Sequence, residues 1–150
     1  MDVVKDLKKI AQGFAGEGIL RSILSEKGHQ FGQIDLMSIC PKSGKTYFYE
    51  VKHQERFKGP PFDGHGLPPW QVDFRLKIAK AHNITPVLFI VEPGIDLMGE
   101  IVIFYASLIH LNNLPDDKKF LTNTGKRIIY HIAEFKHFKI KKSDFIINNN

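Results

Sequence analysis

The segment that most constrains how this chain folds is Pro41-Lys42-Ser43-Gly44. Proline presets the backbone for a turn, serine offers a local hydrogen bond and glycine admits a positive φ, so the four residues read as a tight reversal. On either side lie two strand-like runs, Gln33–Cys40 and Lys45–His53, and together they predict an antiparallel hairpin. If Cys40 closes the turn opposite Lys45, the register sets Asp35 directly across from Glu50. Side chains alternate along a strand, so Lys52 shares the face of Glu50. Ile34, Leu36, Tyr49 and Val51 then point to the other face, toward the predicted core.

Two facing carboxylates repel each other and weaken a hairpin. A divalent cation resolves that conflict, and Mg²⁺ in particular takes a few carboxylate oxygens while keeping several waters. Such an ion polarises a phosphodiester and lowers the pKa of an attacking water. A lysine beside it orients that water or offsets charge on the phosphorane. Acidic residues on strands are more often simply solvated, and Glu-x-Lys recurs by chance. Here both carboxylates sit in otherwise apolar strands, on one face, across a defined turn.

The rest of the chain alternates helical and extended patterns. Val3, Val4, Leu7, Ile10 and Ala11 recur at helical spacing before Gly13, Gly16 and Gly18 interrupt. A second helix is predicted over Glu17–Lys27, with Ile19, Leu20, Ile23 and Leu24 as its apolar face and Gly28 as its stop. Gln54–Pro69 is dense in Pro and Gly and reads as an ordered, irregular loop. A helix is expected from near Pro69 to about His82, with Val72, Leu76 and Ala79 on one stripe and Phe74, Ile78 and Ala81 widening it. Ile84–Val91 reads as a strand buried on both faces from Val87 onward, with Pro86 near its start. Ile101–Tyr105 predicts another strand, Ala106–Leu111 a short helix and Lys126–Phe135 a further strand region. This order predicts one α/β domain over 1–150, a mixed central β-sheet flanked by helices.

Composition narrows the function. With 43% hydrophobic and 25% charged residues the chain is globular rather than disordered, and no apolar run reaches membrane-spanning length. One cysteine, Cys40, excludes an internal disulfide and a Cys-rich zinc site, and neither His29 nor His65 has metal-ligand spacing with it. His53 alternates to the face opposite Lys52. No secretory leader is visible, so a cytoplasmic or other intracellular, DNA-containing compartment is expected. The formal charge of +5 suits a phosphate-bearing partner.

With these residues the chain resembles the PD-(D/E)XK nuclease superfamily over roughly residues 13–92. Asp35 matches the first acidic position, with Ile34 where the motif's proline often stands, and Glu50 and Lys52 match the (D/E)XK element. Glu17 matches an extra acidic residue that many members place near the metal. Gln71 matches a glutamine of branches that include Holliday-junction resolvases. The resemblance implies a restriction-endonuclease-like core and a Mg²⁺-dependent DNA endonuclease, with Mn²⁺ able to substitute. Asp35, Glu50, the Val51 carbonyl and Glu17 would hold the metal, Lys52 would assist the attacking water, and Glu17 and Gln71 would support the site. It also implies a homodimer or higher oligomer, since two strands need two sites. Size and Gln71 favour junction resolution over homing, restriction or repair cleavage. A different class, a non-catalytic nucleic-acid-binding module on the same fold, stands beside it, as does RNA cleavage. Candidate nucleic-acid contacts are Arg56, Lys58, His65 and Lys77, with Lys136, His137, Lys139, Lys141 and Lys142 as a further basic cluster.

Overall fold

In the computed structural model of the chain, the described residues are Ile19, Ile23, Glu26, Lys27 and 36–141. The early helix over 2–11, and the positions Glu17, Ile34, Asp35 and Lys142, lie outside them. The chain divides into two compact units, Met1–Gln33 and Ile34–Asn150. In the first, Ile19, Ile23 and Glu26 are helical, as the spacing predicts, and both isoleucines are exposed.

The second unit begins with the hairpin. β1 (Leu36–Ile39) and β2 (Thr46–His53) pair antiparallel, Leu36 facing Tyr49 and Ile39 facing Thr46. The Cys40 amide donates to the Lys45 carbonyl at 2.8 Å, closing the turn where the sequence places it. Gly44 sits at φ 71°, a left-handed conformation that glycine adopts without strain.

The Gly/Pro-rich stretch holds a strand that its composition conceals. β3 (Gly64–Leu67) pairs antiparallel with β7 (Ile128–His131), which also pairs with β6 (Lys119–Leu121). Glycine is required at two β3 positions because the β7 backbone runs against them. A Cβ at Gly64 would lie 2.0 Å from the Tyr130 carbonyl oxygen, and one at Gly66 would lie 1.6 Å from that of Ile128. The loop ahead of β3 is packed by its own rings, Phe57 and Phe62 meeting Phe120 edge-on.

Helix α1 (Pro69–His82) follows, within the predicted bounds. Pro69 starts it without loss, since a first-turn N–H has no helical acceptor. Asn83 in the left-handed conformation ends it, and Lys80 and His82 in the last turn suit the negative end of its dipole. Its buried residues are Val72, Arg75 and Ala79, with Leu76 half-buried; Ala81, expected inside, is exposed. The apolar stripe therefore has an arginine at its centre.

β4 (Thr85–Val91) lies parallel to β2, so α1 is the crossover between them. Leu88 and Ile90 are fully buried, whereas Val87, Phe89 and Val91 are only half-buried, so β4 is sealed on one face rather than both. β5 (Glu100–Ser107), the short helix α2 (Leu108–Asn112), a 3₁₀ turn (Ile132–Glu134) and β8 (Lys136–Lys141) complete the unit. The central sheet runs β1-β2-β4-β5-β8, with every pair antiparallel except β2/β4, and the expected mixed α/β sheet is observed. β8 forms from residues whose charges alone suggest only a basic cluster.

The core joins Leu67, Val72, Leu88, Ile90, Phe104, Leu108, Leu111 and Tyr130. It lies against the face of β2 that carries Phe48, Glu50 and Lys52. The expectation that Leu36, Tyr49 and Val51 face the core is thereby reversed: Leu36 and Val51 are 58% and 39% exposed, and Tyr49 is half-buried. Side chains alternate along β2 as expected, but period alone does not say which face a helix will cover. Among the described residues no helix is long and apolar enough to cross a membrane.

Candidate active site

Glu50 and Lys52 emerge on one face of β2, as alternation requires, and their side chains meet with Lys52 Nζ 3.1 Å from Glu50 Oε1. Glu50 is 5% exposed. A carboxylate so placed needs charged or hydrogen-bonding partners, because burying it alone is prohibitively costly. Arg75, from the middle of α1 and 4% exposed, supplies them. Its Nε donates to Glu50 Oε2 at 2.9 Å and its Nη2 donates to the same oxygen. Sequence reasoning missed Arg75. The available signal was its position, three residues after Val72 and four before Ala79, where a charge in an apolar stripe demands a buried counter-charge.

Gln71 lies four residues before Arg75, on the same helical face and about 6 Å along the axis. Because α1 returns between two parallel strands, its N-terminal turn lies toward the C-terminal end of β2, beyond Glu50 in the direction of Lys52. The Gln71 Oε1 atom is buried and has no hydrogen-bond partner among the described residues. An orphaned buried oxygen costs roughly 1–3 kcal/mol, so it marks a place where a donor or a cation is wanted. The Tyr130 hydroxyl is similarly unpaired within the core, and burial pushes its pKa up to about 12.

Val51 stands between Glu50 and Lys52 with its side chain on the opposite face. Asp35 and Glu17 fall outside the described residues. Among the described residues no three His, Cys, Asp or Glu groups converge as a metal cluster. The described carboxylate on this face of β2 is Glu50, and cationic side chains hold both of its oxygens.

The proposed nucleic-acid contacts divide. Lys58 is exposed. Lys77 is exposed and pairs with Asp73 one turn away at 2.9 Å. Arg56 forks onto both Glu92 oxygens at 3.0 Å each and lies 5.0 Å over the Phe104 ring, which ties the segment after β2 to the end of β4. His65 is corrected outright. It is fully buried, with Nε2 donating to Glu92 Oε2 at 2.8 Å and Nδ1 facing the Gln54 amide oxygen at 3.3 Å, so its ring has no surface to offer a phosphate.

Burial pulls the His65 pKa below its ordinary value, against the upward pull of Glu92. Burial also raises Glu92, but the hydrogen bonds from Arg56 and His65 outweigh it and hold that carboxyl below its usual range. A histidine depressed in the folded state contributes stability in full above its unfolded value of about 6.5 and loses it as pH falls toward the folded value. Urea midpoints measured from pH 8 to 5 are therefore expected to drop below about pH 6.5, and less steeply in His65→Gln. Parallel profiles for the two proteins would count against His65 as the titrating group.

No family model, curated protein or solved structure matches this chain.

Proposed function

We propose that the chain is a Mg²⁺-dependent DNA endonuclease that hydrolyses phosphodiester bonds. The observation that carries this reading is the pairing of a buried Glu50 with the partly exposed Lys52 on one face of β2. The sequence expectation supplies Asp35 as the second carboxylate, so that Glu50 and Asp35 would hold the cation, with the Val51 carbonyl as a further ligand. The bound ion supplies charge for the scissile phosphate and an acidified water. Lys52, on a flexible stem, holds that water or meets charge building on the phosphorane. Gln71 offers its oxygen to a water at the same place, and Arg75 keeps Glu50 aimed.

The resemblance favours a four-way DNA junction as substrate and a homodimer as the working form, acting where intracellular DNA is. Exposed Lys58 and Lys77 are the proposed phosphate contacts.

A second reading has one specific observation in its favour. Both Glu50 oxygens already carry cationic partners, as they would in a purely structural ion pair on a non-catalytic nucleic-acid-binding module. One experiment separates the two: labelled junction, duplex, single-stranded DNA and RNA substrates are incubated with the protein and Mg²⁺, alongside Lys52→Met. The nuclease reading expects DNA cleavage that stops on chelation and falls at least about 10²-fold in Lys52→Met, the scale for losing one transition-state electrostatic contact. Binding without cleavage of any substrate favours the module instead.

A further inference from the structure

The central sheet has another face, and its registers fix what stands there. Tyr47 pairs with Thr85, Val87 with Ser107 and Tyr105 with Lys136, while Glu50 pairs with Leu88 and Lys52 with Ile90. Alternation therefore puts Tyr47, Thr85, Val87, Ser107, Tyr105 and Lys136 on the face opposite Glu50 and Lys52. These side chains line a cleft of about 550 Å³, a size within the range of small-molecule sites. His110 of α2 and Glu134 of the 3₁₀ turn complete its wall.

The lining makes distinct demands on a ligand. Val87 and Ala106 are apolar, and Tyr47 and Tyr105 add aromatic rings. The Tyr105 ring already meets Phe138 in a T-shaped contact at 5.9 Å, whereas Tyr47 meets no ring among the described residues. A flat apolar body fits there. Glu134 Oε2 accepts from His110 Nε2 at 3.1 Å, and the Glu134 side chain is 25% exposed. No described residue donates to its Oε1, which is left to take an N–H from outside. Lys136 is exposed and pairs with no described carboxylate, unlike Lys139, which Asp96 holds. Its ammonium calls for an anion.

We propose that this cleft binds a nucleoside phosphate whose base carries an exocyclic amine. The base lies against the Tyr47 ring, since every base has a face to stack. Its amine donates to Glu134 Oε1, as cytosine's does to carboxylates in base readout, and Lys136 meets the phosphate. Thymine and uracil lack that amine and would bring carbonyl oxygens against the carboxylate. The site lies across the sheet from Glu50 and stands whether or not the chain cleaves DNA. A free nucleotide and an unpaired nucleotide of a strand offer the same chemistry.

The test is an amide NMR titration of the full chain with a chelator present, so that cleavage plays no part. The probes are dAMP, dCMP, dGMP, dTMP, free tryptophan, and a short thymidine oligonucleotide with and without one central cytidine. The Val87, Ala106 and Ser107 amides should shift, and dCMP or dAMP should bind at least about tenfold tighter than dTMP, the scale of a hydrogen bond to a charged group. Glu134→Ala should erase that preference. Tyr47→Ala should weaken every nucleotide at least about fivefold, as loss of a stacking ring does. Lys136→Ala should weaken nucleotides but not the matching nucleosides, and Lys126→Ala, in the turn between β6 and β7, should change nothing. Thermal melts establish that each variant is folded.

A stronger response to the mononucleotide assigns a free nucleotide to the cleft, and a stronger response to the cytidine-bearing oligonucleotide assigns an unpaired residue of a strand; either upholds the site. Unmoved amides at millimolar nucleotide overturn the proposal. Equal binding of dTMP and the amine-bearing nucleotides does the same, as does full affinity in Tyr47→Ala. So does an equal response to tryptophan, which offers a flat ring and both charges without a phosphate.

Discussion

Under the proposed nuclease function, Glu50→Gln is expected to lower single-turnover DNA cleavage by at least about 10³-fold, since a metal's charge stabilisation is worth several kcal/mol and each 1.36 kcal/mol is a factor of ten. The same substitution should also lower stability. The sequence alone suggests a carboxylate whose removal relieves repulsion and leaves the fold intact. The structure shows a buried carboxylate on which a buried arginine depends, and removing one member of such a pair costs about 3–5 kcal/mol. The amide oxygen of glutamine still accepts from Arg75, which places the expected loss near the bottom of that range. Urea denaturation gives the stability change, and cleavage is then compared at a temperature where both proteins are folded. The double substitution Glu50→Gln with Arg75→Met should recover part of the stability but not activity, because it removes the guanidinium whose counter-charge at Glu50 is lost and not the need for a metal ligand. Undiminished cleavage by Glu50→Gln would end the site assignment, whatever its stability.

Gly66→Ala should be the most destabilising small substitution in the central part of the chain. Its methyl carbon would lie 1.6 Å from the Ile128 carbonyl oxygen and 2.6 Å from the Ile128 carbonyl carbon. These are backbone atoms of β7, so no rotamer change relieves the clash and the two strands must part. Overpacking a well-formed interior costs about 1–3 kcal/mol and more where nothing yields, so a loss of about 3 kcal/mol or more is expected. For a chain of this size that is a fall of roughly 6–12 °C in melting temperature. Gly44→Ala is the matched control: nothing lies within 4 Å of its Cβ, and only the left-handed backbone at φ 71° is strained. It should cost about 1–2 kcal/mol. Equal melting temperatures for the two variants would mean that β3 and β7 are not packed as described.

The parts of the fold legible in the sequence are those where local chemistry and final contacts agree. The turn at Pro41–Gly44 fixes the hairpin register because its residues favour that reversal in any context, and the pairing of Leu36 with Tyr49 follows from it. Helix α1 and strand β4 are legible because Pro69 and the apolar run at Val87–Val91 mark them locally. β3 is not, since Gly64-His65-Gly66-Leu67 has poor strand propensity and is extended only because β7 needs backbone at close range. β8 hid differently. Lys136-His137-Phe138-Lys139-Ile140-Lys141 does alternate, but its charges drew the reading toward a solvated cluster. Within the candidate site, Glu50 and Lys52 were found by period, and Gln71 through the family resemblance. Arg75 was not found, because helical patterning treats a charge as an outward residue unless a buried partner is already known.

The charges on β8 have a consequence for how the protein behaves in company. β8 is the outer strand of the central sheet among the described residues, and an outer strand offers a ladder of unpaired amides and carbonyls on which a foreign strand can grow. Lys136, His137, Lys139 and Lys141 are all exposed along those six residues. Any strand laid beside them would bring its own bulk against the Lys136 and Lys141 ammonium groups and against Lys139, whose ammonium is paired with Asp96. The β8 side of the sheet is thus guarded by charge. Part of the chain's positive excess serves to keep neighbouring copies from zipping onto it.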